Sequence, residues 1–280
     1  MLALTVSSRS SFHREALVSD RCIWMIVVGE VDAAAQLAAA ALAPYGASVR
    51  GQKWASEDPD GWMTQAQAAD IDSARFIIVV STPEDYCKPE IRRGLALFRL
   101  FLQTLAKSSV NGLVMLTEPT QTNTVLSDLP GTPVLGDWET VTTHAWPARA
   151  VARLHAPKQS AWPATLGIFA HEKFGTWLQV QPRPGQTANG CLLGVSGNAS
   201  DISFHAVGYA GSLPERSVNE FEIKGLTFTS AGHDFTAWGL QNILAPDQAY
   251  FARLSGQPDL LAISTLPNGE LDDVHLMCLR

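Results

Sequence analysis

The sequence predicts two domains of different classes: an α/β domain with a parallel sheet over residues 20–156, and an all-β domain of the β-sandwich or jelly-roll-like type over residues 160–280. Three observations predict this division. The chain has 280 residues, more than a common single domain of ~100–200. Up to about residue 156, apolar runs alternate with helical patterns. Beyond it, short alternating runs are separated only by turn-forming residues.

The first domain alternates strands and helices. Its predicted strands are short and apolar, and the helices between them are Ala-rich or amphipathic. We expect strands near residues 23–29, 47–55, 74–81, 112–119 and 140–146, and helices near residues 32–43, 62–72, 90–105 and 148–154. In parallel sheets the ligand-binding loops follow the carboxyl ends of the strands. The loops after Val28, Trp54 and Val80 are therefore where a site is expected.

The second domain consists of eight or nine short alternating runs in about 120 residues, separated by segments such as PRPGQ and SAGHD. Three of its four histidines, His205, His233 and His275, lie near aspartates in sequence but lack metal-ligand spacing, so no metal site is predicted. Because no motif in it carries recognisable chemistry, we expect it to act in sensing, binding or oligomerisation.

Composition excludes several partner classes. The formal net charge of −7 argues against nucleic acid and against an anionic membrane surface. No run reaches the ~18 apolar residues of a membrane span. Four cysteines without a C-x-x-C pair, and an N-terminus without a signal-peptide pattern, predict a reduced cytoplasmic protein.

The segment from Ser73 to Leu97 carries the candidate chemistry. A β-branched strand leads into a polar loop, and Pro89 and Glu90 begin an amphipathic helix. The helix dipole favours an ionised carboxylate at this position, and the preceding strand directs it toward the ligand crevice. Glu90 is thus either catalytic or simply a favourable first-turn residue, and the sequence leaves both interpretations open.

Over residues 20–156 the chain resembles a TIR domain. Tyr86-Cys87-Lys88-Pro89-Glu90 is similar to the family's Trp-Cys-x-x-Glu, with Tyr replacing Trp. Residues 70–75 resemble the segment before the family's third strand, and residues 76–81 resemble that strand. Residues 48–62 would form the second strand and the BB loop. The order of elements is shared with flavodoxin-like folds.

The resemblance implies that NAD is a substrate, not a cofactor, and that the bond between nicotinamide and ribose is cleaved. Glu90 would hold the ribose and stabilise its oxocarbenium-like state, while Trp54 or Trp62 would stack on a ring. The other implied substrate-binding residues are Gly29, Glu30, Ser81, Tyr86 and Arg93. The resemblance further implies a homo-oligomer and, in prokaryotes, a defence role controlled by assembly.

Two alternatives stay open. The first domain could be a TIR-like scaffold or adaptor without activity. It is also similar to nucleoside 2-deoxyribosyltransferase-like proteins, because residues 90–96 resemble their Glu-Ile-x-x-Gly/Ala-x-Ala helix. In that family the glutamate is a nucleophile at the sugar carbon. Both enzyme families cleave N-glycosidic bonds.

Overall fold

The computed structural model describes residues 22–55, 61–69, 74–106, 110–117, 132–141, 146–156, 163–266 and 273–279. Within these residues the chain forms an α/β part followed by an all-β part, the two classes predicted from the sequence. None of the described helices combines the length and the apolar character that crossing a membrane requires.

The α/β part is built on a parallel sheet of five strands with the order β2-β1-β3-β4-β6. Its strands are β1 (Cys22–Val27), β2 (Ser48–Lys53), β3 (Ala74–Ser81), β4 (Asn111–Leu116) and β6 (Glu139–Val141), and the two-residue strand β5 (Thr132–Pro133) lies outside this sheet. Its helices are α1 (Asp32–Leu42), α2 (Gly61–Ala68), α3 (Pro83–Tyr86), α4 (Pro89–Leu105) and α5 (Trp146–His155), and a 3-10 turn spans Ala43–Tyr45.

The helices cover both faces of this sheet because the central strands are apolar on both sides. Ile23 and Phe76 pack with α1 and α5, whereas Trp24 and Ile77 pack in the cluster that contains α2 and α4. One prediction was wrong in detail. Trp146, expected to lie in a strand, is a buried residue at the start of α5, with Pro147 in the first turn as helix starts favour.

The described residues of the all-β part form nine strands, at the upper end of the predicted number. They are β7 (Ala164–His171), β8 (Gly175–Pro182), β9 (Ala188–Ser196), β10 (Asp201–Tyr209), β11 (Ile223–Ser230), β12 (His233–Leu244), β13 (Gln248–Ser255), β14 (Leu260–Ser264) and β15 (His275–Cys278). A four-stranded antiparallel sheet, β10-β13-β8-β7, packs through a common core against a six-stranded sheet, β11-β12-β9-β14-β15-β5. Only the β15–β5 pair in these sheets is parallel.

The two parts share one hydrophobic core, which the sequence did not predict. A single cluster contains Phe98 and Leu102 of α4 together with Leu166 and Ile168 of β7, and α4 packs directly on β7. The hydroxyl Oγ1 of Thr104 accepts the N–H of Ile168 at 2.8 Å and lies 3.0 Å from its carbonyl oxygen. Strand β5 also pairs with β15. Helix α4, which begins at the candidate site, is therefore also the main contact between the parts.

Candidate functional site

The segments that follow β1, β2 and β3 emerge side by side at the carboxyl edge of the parallel sheet. Beyond the strand ends, the N–H of Val28 donates to the carbonyl of Val80 at 2.9 Å, and the N–H of Trp54 donates to the carbonyl of Val27 at 2.7 Å. The order β2-β1-β3 places the change of winding direction between β1 and β3. In open α/β sheets such a switch point is where ligands bind.

Glu90 lies in the first turn of α4 and is exposed to solvent. Pro89 occupies the first helical position, where its missing N–H costs no hydrogen bond. No cation in the described part of the chain forms an ion pair with Glu90. The positive end of the helix dipole favours an anion there. The site therefore holds an exposed carboxylate at a helix N-terminus, and Lys88 interacts with it electrostatically without forming an ion pair.

Asp85 is a second carboxylate at this edge, and sequence reasoning did not select it. Its backbone N–H donates to the hydroxyl of Thr82, the N-cap of α3, at 3.1 Å. Its Oδ1 accepts a hydrogen bond of 2.7 Å from Lys88, which holds the pKa of Asp85 below its usual value. Lys88, which lies two residues before Glu90 just as Arg92 lies two residues after it, is thus bound to another carboxylate.

Gly29, predicted to bind substrate, contacts Asp85. It has a φ of +77°, a conformation that side chains rarely adopt, and a Cβ atom built there would lie 2.1 Å from Oδ2 of Asp85. Only glycine fits this position. The loop after β1 and the loop after β3 are consequently held against each other across the switch point.

Glu30 is exposed and forms an ion pair with Lys53 at 2.9 Å, and Lys53 also lies 3.2 Å from Asp32. This network joins the loop after β1 to the end of β2. Because all three side chains are largely exposed, water screens the ion pairs and they contribute little to stability. Glu30 lies at the predicted edge, but its charge is already compensated.

Trp54 and Trp62 are buried in the core against α4. Trp54 packs on Gly94, where a Cβ atom would lie 2.7 Å from its ring, and it meets Phe98 edge to face with 5.8 Å between ring centroids. Trp62 makes the same kind of contact with Phe101. Both rings are buried and pack against aromatic side chains of α4, so we assign them no ligand contact.

The other predicted residues have different environments. Ser81 is fully buried at the end of β3, and its hydroxyl has no hydrogen-bond partner among the described residues. Tyr86 is buried, and burial raises its pKa to about 12. Arg93 donates from Nη1 to the carbonyl of Pro258, at 2.6 Å, and so binds the all-β part. Gly29 and Ser81 thus lie at the carboxyl edge of the sheet, Glu90 lies at the start of the helix that follows it, and Arg93 contacts the all-β part.

Metal ligands do not converge anywhere in the described ranges: no group of three or more His, Cys, Asp or Glu side chains is arranged to hold an ion. The chemistry available at the carboxyl edge of the sheet includes two carboxylates paired with lysines, Glu30 and Asp85, a carboxylate without an ion pair, Glu90, and a buried hydroxyl, Ser81.

Comparison with known proteins adds little. No family model matches the chain, and no curated protein matches it. Two solved structures, the chitin-binding domains ChBD2 and ChBD3 from Thermococcus kodakarensis KOD1, are similar to it at 12% and 13% identity. Each match covers 39% of this chain, and 93% and 91% of the respective domains, with a TM-score of 0.22. A TM-score this low supports no inference about fold or ligand.

Proposed function

We propose that the protein cleaves an N-glycosidic bond, with NAD as its substrate and Glu90 as the carboxylate that acts on the ribose. The observation that carries this proposal is the setting of Glu90. It is exposed at the start of α4, the helix that follows the loop after β3, and no described cation forms an ion pair with it. Such a carboxylate is suited to stabilise positive charge that develops on a sugar.

The chemistry needs little beyond this carboxylate. The nicotinamide of NAD carries a positive charge while it is bonded to ribose, and it leaves as a neutral ring when it takes the electrons of the broken bond. The ribose then resembles an oxocarbenium ion, which an adjacent anion stabilises. Water adds to the anomeric carbon and loses a proton, giving ADP-ribose. Asp85 supports this role by holding Lys88 in a hydrogen bond, so that Lys88 acts on Glu90 only through its charge and not through an ion pair.

The order of the sheet also supports the proposal. The strand order β2-β1-β3-β4-β6 is that of flavodoxin-like folds. Within these folds we assign the α/β part to the TIR-like type, because residues 86–90 are similar to the TIR motif. We assign the all-β part to the β-sandwich architecture, because two sheets pack face to face through one core. In this proposal the all-β part controls activity through assembly.

The test is release of nicotinamide from NAD by the full chain. We expect Glu90→Gln to lower kcat by about 100-fold or more, because it removes the charge and keeps the shape. Glu84→Gln is the matched control, since Glu84 is an exposed carboxylate in the same segment. Release at the wild-type rate by Glu90→Gln would contradict the proposal.

The same assay separates the alternatives. Release of a base from 2-deoxynucleosides, with NAD left intact, would favour a deoxyribosyltransferase-like enzyme, in which Glu90 would act as a nucleophile. No release from either substrate, at any protein concentration, would favour a scaffold or adaptor.

A further inference from the structure

The all-β part carries an open groove of about 760 Å³ at the segment that joins β10 to β11, residues 210–222. Three large apolar side chains line the groove and are mostly exposed: Tyr209 (70%), Val218 (79%) and Ile243 (68%). Phe221, beside the groove in sequence, is 76% exposed. We call this surface the groove; polar side chains such as Arg216 and Asn242 line it beside the apolar ones. It contains a large share of the exposed large apolar residues in the described chain, and such concentrations mark interaction sites.

Hydrogen bonds hold the backbone of this segment in place. The N–H of Val207 donates to the hydroxyl of Ser217 at 2.7 Å. The side chain of Asn242 accepts from the N–H of Glu220 at 2.9 Å and donates to the carbonyl of Val218 at 2.8 Å. The exposure of Val218 is therefore not the result of a loose loop, because the backbone on which it sits is tied to β10 and β12.

A buried histidine anchors the far end of the segment. Nε2 of His205 lies 3.1 Å from Oε1 of Glu222, and that oxygen also accepts a hydrogen bond of 2.6 Å from Asn219. Phe221, between these anchors, has a φ of +46°, a left-handed conformation that is strained for an aromatic residue. Strain of this kind persists only where the surroundings impose it, and it is common at binding sites. The fold thus keeps the aromatic side chain of Phe221 exposed to solvent.

We propose that the groove is the contact surface between two copies of this chain, related by a two-fold axis. The exposed apolar side chains of Tyr209, Val218 and Ile243 would be buried in the dimer, and the fixed backbone would lower the entropy lost on association. Two-fold contacts require a surface that is complementary to itself.

The charges around the groove favour a second copy over a partner of one charge sign. Glu215, Arg216 and Glu220 all line it and are exposed. None of the three forms an ion pair with another residue in the described ranges. A partner whose surface carries charges of one sign only would leave either Arg216 or the two glutamates without an opposite charge. In a two-fold dimer, Arg216 of each copy can meet Glu215 or Glu220 of the other.

A regulatory role of the dimer rests on the proposed function, because in that function the all-β part controls Glu90 through assembly, and the dimer would be that assembly. The dimer itself does not rest on it. Sedimentation measures association whether or not NAD is cleaved, so a failed NAD assay and a failed dimer assay are separate results.

The experiment is sedimentation velocity of the full chain from about 1 to about 100 µM. We expect a concentration-dependent dimer, and we expect Val218→Asp combined with Ile243→Asp to raise its dissociation constant at least about tenfold. Leu37→Asp is the matched control, because Leu37 is 73% exposed but lies on α1. Circular dichroism checks that each variant is folded.

A charge exchange tests the self-complementary pairing. Arg216→Glu should weaken the dimer about tenfold, and adding Glu215→Arg to it should restore most of the affinity, since both signs are again present. A wild-type chain that stays monomeric at about 100 µM would overturn the proposal, as would a dimer that only Leu37→Asp dissociates. A dimer unaffected by any groove variant would overturn it as well.

Discussion

At the residue scale, the roles of individual side chains depend on what packs against them. Trp54 follows a strand that ends at the functional edge, and this position alone suggests a stacking ring for a ligand. Its ring instead fills the space above Gly94 of α4 and meets Phe98. The absence of a side chain at Gly94 makes this packing possible. Trp54 therefore contributes to the position of α4, and through it to that of Glu90.

Trp54→Ala should lower the free energy of unfolding by about 3–5 kcal/mol, because it leaves a large cavity between the sheet and α4. Urea denaturation followed by circular dichroism measures this loss. Trp177→Ala, which removes a less buried tryptophan from β8, serves as the comparison. An unchanged unfolding free energy, together with a raised KM for NAD, would show that Trp54 contacts ligand instead.

His205 and Glu222 make the stability of the all-β part depend on pH. Burial lowers the pKa of His205, and hydrogen bonds from Lys224 and Asn219 lower the pKa of Glu222 to about 2. Tyr250 also contacts the ring of His205. Both groups bind protons more readily in the unfolded chain. Stability should therefore fall as the pH drops below the ordinary His value of 6.5, and fall further between 4.5 and about 2.

Urea unfolding at about pH 7.5 and about pH 5.5 tests the histidine contribution. His205→Gln should reduce the difference in stability between these two conditions, since it removes the group that titrates there. His171→Gln, at an exposed position in the β7–β8 hairpin, is the control. Equal pH dependence in wild type and His205→Gln would rule out this assignment.

At the element scale, α4 connects the candidate site to the all-β part. Arg93, one turn after Glu90, donates to the carbonyl of Pro258, and Thr104 near the other end binds the backbone of Ile168. Gly167 permits the second contact, because a Cβ atom there would lie 2.5 Å from the Thr104 hydroxyl. The helix is thus fixed to the second part near both ends.

Thr104→Val should destabilise the protein by about 1–3 kcal/mol, because the buried N–H and carbonyl of Ile168 lose their partner. Thr104→Ser keeps the hydroxyl and should lose clearly less. Chemical denaturation of both variants measures the difference. Equal losses would mean that the methyl group, and not the hydrogen bonds, makes the contact.

The elements themselves were largely predictable because apolar periodicity is a local signal. The strand at residues 74–81 and the helix that contains Glu90 were both found as expected. The contact of Arg93 with Pro258 was not predictable. The two residues are 165 positions apart, and hydrophobic periodicity carries no information about contacts between distant segments. Asp85 was missed for a similar reason: its importance comes from Gly29, on a different loop.

At the scale of the whole molecule, the boundary near residue 156 separates two classes of structure but not two cores. Residues of α4 and β7 belong to one hydrophobic cluster, and β5 of the first part extends a sheet of the second. Hydrophobic periodicity in the sequence detects a change of structural class, because strands and helices have different periods. It does not detect whether the two classes bury their apolar surfaces against each other.

A fragment of residues 20–156 should therefore be unstable by itself. Its α4 would expose the apolar side chains that normally contact β7, and exposed patches of this kind promote aggregation. We expect weak near-ultraviolet circular dichroism and binding of a hydrophobic dye. A monomeric fragment with a cooperative thermal transition, like that of the full chain, would show that the α/β part is an independent domain.

The central claim is that Glu90 performs N-glycosidic bond cleavage, and the most direct test is the turnover number of the full chain at saturating NAD, with nicotinamide and ADP-ribose both quantified. The account predicts equal amounts of the two products from wild type and from Glu84→Gln, and a kcat at least about 100-fold lower for Glu90→Gln. Equal turnover by wild type and Glu90→Gln, or no product from wild type at concentrations where it is dimeric, would contradict the claim.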